Sequence, residues 1–232
     1  MSLLVPARRP TREMLDDPDL PAAQMCESLE DLERVHRRWG TDRALVRYLA
    51  PRVRALGRRA RILDVGAGSG ALADTLRRSL AARGASAKIT ALDLQWRHLL
   101  AGRRRLRRRS PPAVGGDAFR LPFRDGTFDF AVSTLFLHHF SPSENRALLR
   151  EFLRIAREGF AILDLRRHLV PALALEFAGR FLFRTHVSIR DGVASIRQAY
   201  TLDEADALAR AASPTGRADA VFPFGLLLTA GR

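Results

Sequence analysis

The 232-residue chain is 47% hydrophobic and 28% charged, which supplies a packed core and excludes both a disordered tail and a membrane-embedded protein. Lys88 is the only lysine among 39 basic residues, and these outnumber the 25 acidic ones for a formal net charge of +14. One cysteine, Cys26, excludes an internal disulfide and a cysteine-rich zinc site, and no metal ligand set is expected. So large a basic excess suits a polyanion surface, but the near-absence of lysine points to a composition bias instead. The apolar run at the N-terminus is too short for a signal peptide. No stretch approaches the ~18 apolar residues of a spanning helix, so a soluble, cytoplasmic protein is expected.

Residues 1–24, rich in proline, aspartate and arginine, read as an irregular arm. Leu29, Leu32, Val35 and Trp39 then recur at helical steps, Gly40 and Thr41 break the pattern, and Leu45, Leu49 and Val53 mark a second helix. These two helices form an N-terminal cap in which His36, Trp39 and Arg43 are candidates to close over a ligand. From there strands and helices alternate. Strands are expected at 61–66, 88–94, 113–118, 128–134 and 159–165, with helices at 70–83, 96–109 and after Ser141-Pro142. That alternation implies crossover units and a parallel sheet. Residues 166–200 read as an inserted lid with an apolar helix, and Thr201 with Glu204 forms a capping box. The end, 218–231, reads as two closing antiparallel strands. The expected boundaries are 1–58 for arm and cap and 59–232 for the ligand-binding domain.

Asp64-Val-Gly66-Ala67-Gly68-Ser-Gly70 ends the first strand and opens a helix. Glycines let backbone approach a ligand, and a helix start offers unpaired N–H groups. With Ala71 the run also satisfies a loose dinucleotide pattern. Three features argue otherwise. Asp64 stands where dinucleotide binders carry an apolar residue. Asp93 closes the second strand, placed for two ribose hydroxyls, a feature shared with NAD folds. Gly116-Asp117-Ala118, Leu121-Pro122-Phe123 and Phe128-Asp129-Phe130 follow in order.

That succession, over residues 60 to 165, resembles the class I S-adenosylmethionine (SAM)-dependent methyltransferases of the small-molecule type. The resemblance implies an α/β fold, a Rossmann-like seven-stranded and mostly parallel sheet with helices on both faces. It also implies positions for the cofactor. Asp64 with Gly66, Ala67, Gly68 and Gly70 would line the methionine end, and Asp93 would hold the ribose with Leu94 against adenine. Asp117 and the Ala118 amide would read the adenine ring, and the Ser133 carbonyl would face the methionine ammonium. Asp129 is expected at a strand entry and not as a ligand.

His138 and His139 follow the fourth strand at the carboxyl edge, where ligands meet such sheets, and a histidine there can take a proton from a phenol. His139 is the first candidate and His138 the alternate, against a packing role for both. Phe177, Phe181, Phe183 and Tyr200 offer aromatic surface for an apolar acceptor. Arg103 to Arg105 and Arg107 to Arg109 read as a solvated helix face, with Trp96, Leu99 and Leu100 on the buried side. Local patterns around Leu15-Asp-Asp-Pro18 and Arg190-Asp-Gly192 resemble superfamily members of polyketide and phenolic natural-product pathways. The expected reaction is O-methylation of a hydroxyl on an aromatic or polyketide-like small molecule. C-methylation of a quinone or lipid-like acceptor, and methylation of RNA, stay open as alternatives.

Overall fold

The computed structural model describes residues 4–39 and 42–231. The Gly40-Thr41 break and the Trp39 side chain lie outside the described residues. Two helices come first, α1 (Ala22–Trp39) and α2 (Asp42–Ala55). The alternation follows as β1 (Ala60–Val65), α3 (Ala71–Ala81), β2 (Ala87–Asp93), α4 (Trp96–Leu106) and β3 (Ala113–Gly115). Next are β4 (Phe128–Thr134), α5 (Pro142–Ile155) and β5 (Ala156–Leu165), then three helices, α6 (Leu169–Leu182), α7 (His186–Gln198) and α8 (Leu202–Ala212). A hairpin, β6 (Arg217–Val221) and β7 (Gly225–Gly231), closes the chain.

The sheet order is β3-β2-β1-β4-β5-β7-β6, with β1 to β5 parallel and β7 antiparallel to both β5 and β6. The expected Rossmann-like, seven-stranded, mostly parallel sheet is therefore present. Its order reverses between β1 and β4, and a crevice opens there at the carboxyl ends of the strands. Central strands are buried on both faces, as β4 illustrates: Phe128 through Ser133 are all buried, which crossover helices on two sides require.

Two apolar layers hold the helices on. Leu148, Leu149, Phe152 and Ile155 of α5 pack with Phe160 and Ile162 on one face. On the other, Leu45, Leu49 and Val53 of α2 share a layer with Leu76, Leu80, Ile62 and Leu163. Each such fully buried side chain contributes about 1.5–3 kcal/mol. The boundary expected near residue 58 falls between α2 and β1, yet α2 is built into this layer and only α1 lies over the crevice. The expected capping box forms, Thr201 accepting from the Glu204 amide, and a second one, Ser141 accepting from the Glu144 amide, opens α5. Asp129 is indeed a strand-entry group, accepting two bonds from Arg58 and one from the Arg61 amide.

Three local readings need correction. The third strand stops at Gly115, because Gly116 to Ala118 turn into the crevice. On α4 the buried side is His98, Gly102 and Leu106, while Trp96 is 63% exposed. The arginines 103–105 and 107–109 are exposed as expected, and Arg105 pairs with Glu33 of α1. The third correction concerns α6. Its Ala172, Leu175 and Gly179 pack with α7 residues Val193 and Ile196, which turns Phe177 and Phe181 outward to solvent.

The segment before α1 has definite structure. Arg8 donates to the carbonyls of Gln198, His138 and Phe140 and lies over the Tyr200 ring. The amides of Met14 and Leu15 both donate to the Asp191 carboxylate, each at 2.8 Å. Arg97 of α4 donates to the carbonyls of Pro18 and Leu20. Leu20, Met25 and Leu29 bury against Val187 of α7. The stretch read as an irregular arm is thus a strap, pinned across the crevice by α4 and α7.

Candidate functional site

A cavity of about 470 Å³ lies between the strap, α1 and the carboxyl ends of β1, β2 and β4. Its lining includes Gly66, Ala67 and Gly68 after β1, Asp93 and Leu94 after β2, and Asp117 and Ala118 after β3. From the fourth strand and the turn beyond it come Thr134, Leu135, Phe136, His138, His139 and Phe140. Seven of the ten expected cofactor positions and both histidines therefore meet in one cavity. His36 lines it too, whereas Arg43 is exposed outside it.

Gly66, which opens the glycine turn, has no room for a side chain. Gly66 has φ +69°, and a Cβ there would lie 2.6 Å from the Phe136 ring. Ala67 donates its amide to the Leu92 carbonyl, tying the turn to β2, and Gly70 caps α3 with φ +71°. A second glycine, Gly102 of α4, passes directly under this turn, and a Cβ on it would overlap the Ser69 carbonyl. Nothing in the local pattern of α4 signals that approach. Gly102→Ala is expected to displace the turn, lowering stability by about 1–3 kcal/mol and weakening nucleotide binding at least tenfold. Thermal unfolding and calorimetry check it, and unchanged values for both would show that α4 shifts freely.

Asp93 accepts the amides of Gly68 (2.7 Å) and Gln95 (2.8 Å), with His98 Nδ1 3.7 Å from its Oδ1. Burial raises its pKa against the opposing pull of His98 and the two amides. Leu94 is largely exposed beside it, an apolar surface open to a planar ring. Asp117 uses Oδ1 to accept the Phe119 amide.

Three expected positions stand behind the lining. Gly70 packs on Pro111. Ser133 is buried and donates its hydroxyl to the Val65 carbonyl, and Thr134 is the residue that reaches the cavity. Asp64 is 1% exposed, and neither carboxylate oxygen has a hydrogen-bond partner among the described residues. Burial, with the charge of Asp93 added, raises its pKa to about 7. An orphaned buried carboxylate directly under a glycine turn suits a cationic group bound above it.

At the other end, the two histidines stack at 4.4 Å and have different surroundings. His138 is 1% exposed, with Nδ1 2.6 Å from Asp164 Oδ1 and its amide on Asp164 Oδ2. Burial alone would lower its pKa, but Asp164 and Glu13 outweigh it and push it up to about 10. Held in that way, His138 is a poor base at neutral pH. His139 reaches the cavity with 20% of its side chain exposed, Nδ1 3.2 Å from Asp16 Oδ2 and Nε2 3.9 Å from Glu13 Oε2. Glu13 is itself fixed, accepting the Ser195 hydroxyl at 2.6 Å and the Gln198 amide at 2.8 Å. Burial would raise its pKa, yet the two histidines bring it below the usual carboxylate range. Glu13, Asp16 and Asp164 come from the strap and β5, and no spacing in the sequence associates them with the histidines. Glu13, His138 and His139 each offer one atom with metal-ligating capacity, all within 4.8 Å of one another.

The aromatic surface of the cavity is Phe119, Phe136 and Phe140, with Phe140 edge-on to both others at 4.9–5.0 Å. Phe177 and Phe181 do not contribute, and Tyr200 is spent on the Phe140 carbonyl and Asn145.

Residues 62–159 match the family model described as a methyltransferase domain. Malonyl-[acyl-carrier protein] O-methyltransferase of Geobacter sulfurreducens is 53% identical over 76 residues, 32% of this chain and 27% of that protein. Demethylmenaquinone methyltransferase of Corynebacterium kroppenstedtii is 28% identical over 142 residues, 60% of this chain and 56% of that protein. The chain thus spans about a quarter to just over half the length of these curated relatives. Among solved structures, human N-acetylserotonin methyltransferase in complex with SAM superposes with a TM-score of 0.64 at 14% identity, covering 91% of this chain and 56% of that one. At that identity the likeness bears on the fold alone.

Proposed function

We infer that this chain, whose residues 62–159 form a class I SAM-dependent methyltransferase domain, methylates a hydroxyl oxygen of a small apolar or aromatic acceptor, polyketide-like in character. The observation that carries the reading is one cavity lined by two kinds of group. Asp93, Leu94, Asp117 and the glycine turn suit a nucleotide, and Phe119, Phe136, Phe140 and His139 add aromatic surface and a base beside them. The orphaned carboxylate of Asp64 and the Cβ-free surface of Gly66 fit the methionine portion of the cofactor. When bound, SAM supplies a methyl group already activated on a sulfonium sulfur.

The protein's task is then alignment and proton management. Asp93 takes ribose hydroxyls, and the Ala118 amide and Asp117 side chain read the adenine edge. Leu94 covers one face of that ring. Thr134 and Leu135, leaving β4, border the methionine portion in place of Ser133, whose carbonyl was expected there. The aromatic trio fixes the acceptor ring, and the hydroxyl proton leaves toward His139 with Asp16 and Glu13 behind it. His138, locked to Asp164, positions His139 through their stacked rings.

A second reading has one specific support. The 142-residue similarity to a demethylmenaquinone methyltransferase favours carbon methylation of a quinol-type ring in the same cavity. Two measurements test these readings. Calorimetry is expected to register SAM and S-adenosylhomocysteine and no NAD; the reverse result overturns the assignment. Mass spectrometry of product ethers from a panel of phenols is expected to find O-methylation, and a ring-methylated quinol instead would select the second reading.

A further inference from the structure

We propose that Glu13, His138 and His139 form a site for one divalent transition-metal ion at the acceptor end of the cavity. The argument starts from the two imidazoles. Each has a carboxylate at Nδ1, Asp164 for His138 at 2.6 Å and Asp16 for His139 at 3.2 Å. A carboxylate at Nδ1 leaves Nε2 as the atom that can bind an ion, the arrangement found behind metal-bound histidines, and on His138 an ion there would replace the second proton that Asp164 and Glu13 otherwise favour. Both Nε2 atoms turn toward one carboxylate, that of Glu13, at 3.3 Å and 3.9 Å. Three electron-rich donors then face one point. His138 Nε2 is moreover fully buried, with the Glu13 carboxylate facing it.

Positive charge is needed at that point. Without an ion, the second proton of His138 supplies it to Glu13 alone. One divalent ion in its place engages all three donors at once. The nearest other cation, Arg8, is turned onto the His138 and Phe140 carbonyls and the Tyr200 ring. Further carboxylates around the cluster are Asp16 and Asp191, and Asp191 is spent on the Met14 and Leu15 amides.

The ligating atoms lie within 4.8 Å of one another, so a shift of about 1 Å brings them to the ~3.4 Å that separates tetrahedral donors on an ion bound at ~2.1 Å. Ser195 and Gln198 hold Glu13 Oε1 as outer-shell partners hold a ligating carboxylate. Two imidazoles and one carboxylate suit zinc, manganese, iron or cobalt better than magnesium or calcium. His139 edges the cavity, so the ion keeps an open side toward the acceptor. Its role rests on the methyl-transfer reading: with the ion held at its Nε2, His139 does not take the proton itself, and an acceptor oxygen beside the ion would lose its proton to Asp16 or solvent. The oxygen lone pair then forms the bond to the methyl carbon while the carbon–sulfur bond breaks and leaves its electrons on sulfur.

The test uses the full-length protein, stripped by chelation and titrated with Co²⁺ under visible absorption and with Zn²⁺ in the calorimeter. One equivalent binding at micromolar Kd or tighter is expected. Glu13→Gln and His139→Ala should each weaken it by ~10–100-fold or more, while Cys26→Ser and His168→Ala leave it unchanged. Neither Glu13 nor His139 belongs to the sheet core, and S-adenosylhomocysteine binding in the same samples reports that each variant is folded. No stoichiometric binding, or binding retained in both cluster variants, overturns the site. Nucleotide binding without metal binding removes the metal site alone; metal binding without nucleotide binding removes the methyl-transfer reading and leaves the site standing.

Discussion

His139→Ala is expected to bind S-adenosylhomocysteine with unchanged affinity and to turn over acceptor ~10²–10⁴-fold more slowly near neutral pH. The residue lines the cavity beyond β4, with its ring nitrogens facing Asp16 and Glu13 and not Asp93. A phenol with pKa near 10 is almost wholly protonated at pH 7, so its proton must be handled as the new bond forms. The loss should shrink as pH rises toward the phenol's own pKa, where the acceptor ionises unaided. His138→Ala behaves differently. It leaves the Asp164 carboxylate buried without its partner, so its first effect is on stability, by about 3–5 kcal/mol for one member of a buried pair. Full activity of His139→Ala at neutrality would mean that proximity alone accounts for the rate and that the paired histidines are scaffold.

Asp93→Ala should weaken S-adenosylhomocysteine binding by about 100-fold. A carboxylate accepting two ribose hydroxyls makes charge-assisted bonds worth roughly 1.5–3 kcal/mol each, and losing them passes into Kd at tenfold per 1.4 kcal/mol. Asp93 also ties the Gly68 and Gln95 amides, so the variant loosens the turn beneath the nucleotide. Comparison with Asp93→Asn separates the two contributions. The amide keeps an acceptor for one backbone bond and loses the charge, so it should recover part of the stability and little of the affinity. Affinity unchanged in a folded Asp93→Ala protein would place the ribose elsewhere in the cavity.

The charge that dominates the composition has little to do with this site. Arg103 to Arg105 and Arg107 to Arg109 stand on the exposed face of α4 and the turn after it, and the cavity lining is acidic and aromatic. Among the described residues no helix is long and apolar enough to cross a membrane.

Residues 60 to 165 were legible in the sequence because their signals are local. A buried strand, a glycine turn and a helix start are contiguous in β1 and α3, and Asp93 and Asp117 follow at the ends of successive strands, where a parallel sheet must place them. The Thr201–Glu204 capping box is a four-residue pattern and was legible for the same reason. What the chain alone left undetermined is whatever depends on residues far apart in sequence meeting in space. Proline and aspartate made residues 1–24 read as irregular, because the bonds that pin the described part of that stretch go to Asp191, Gln198 and His138, far away in the chain. Helical spacing showed that Phe177 and Phe181 share a face with Leu173, but which face α7 would cover depended on the small residues Ala172 and Gly179 opposite. The histidine pair was visible; its division into a locked His138 and a cavity-facing His139 was made by Asp164 on β5 and Asp16 on the strap. Sequence order determined the binding edge of the sheet, and the long-range pairing of carboxylates decided the chemistry available there.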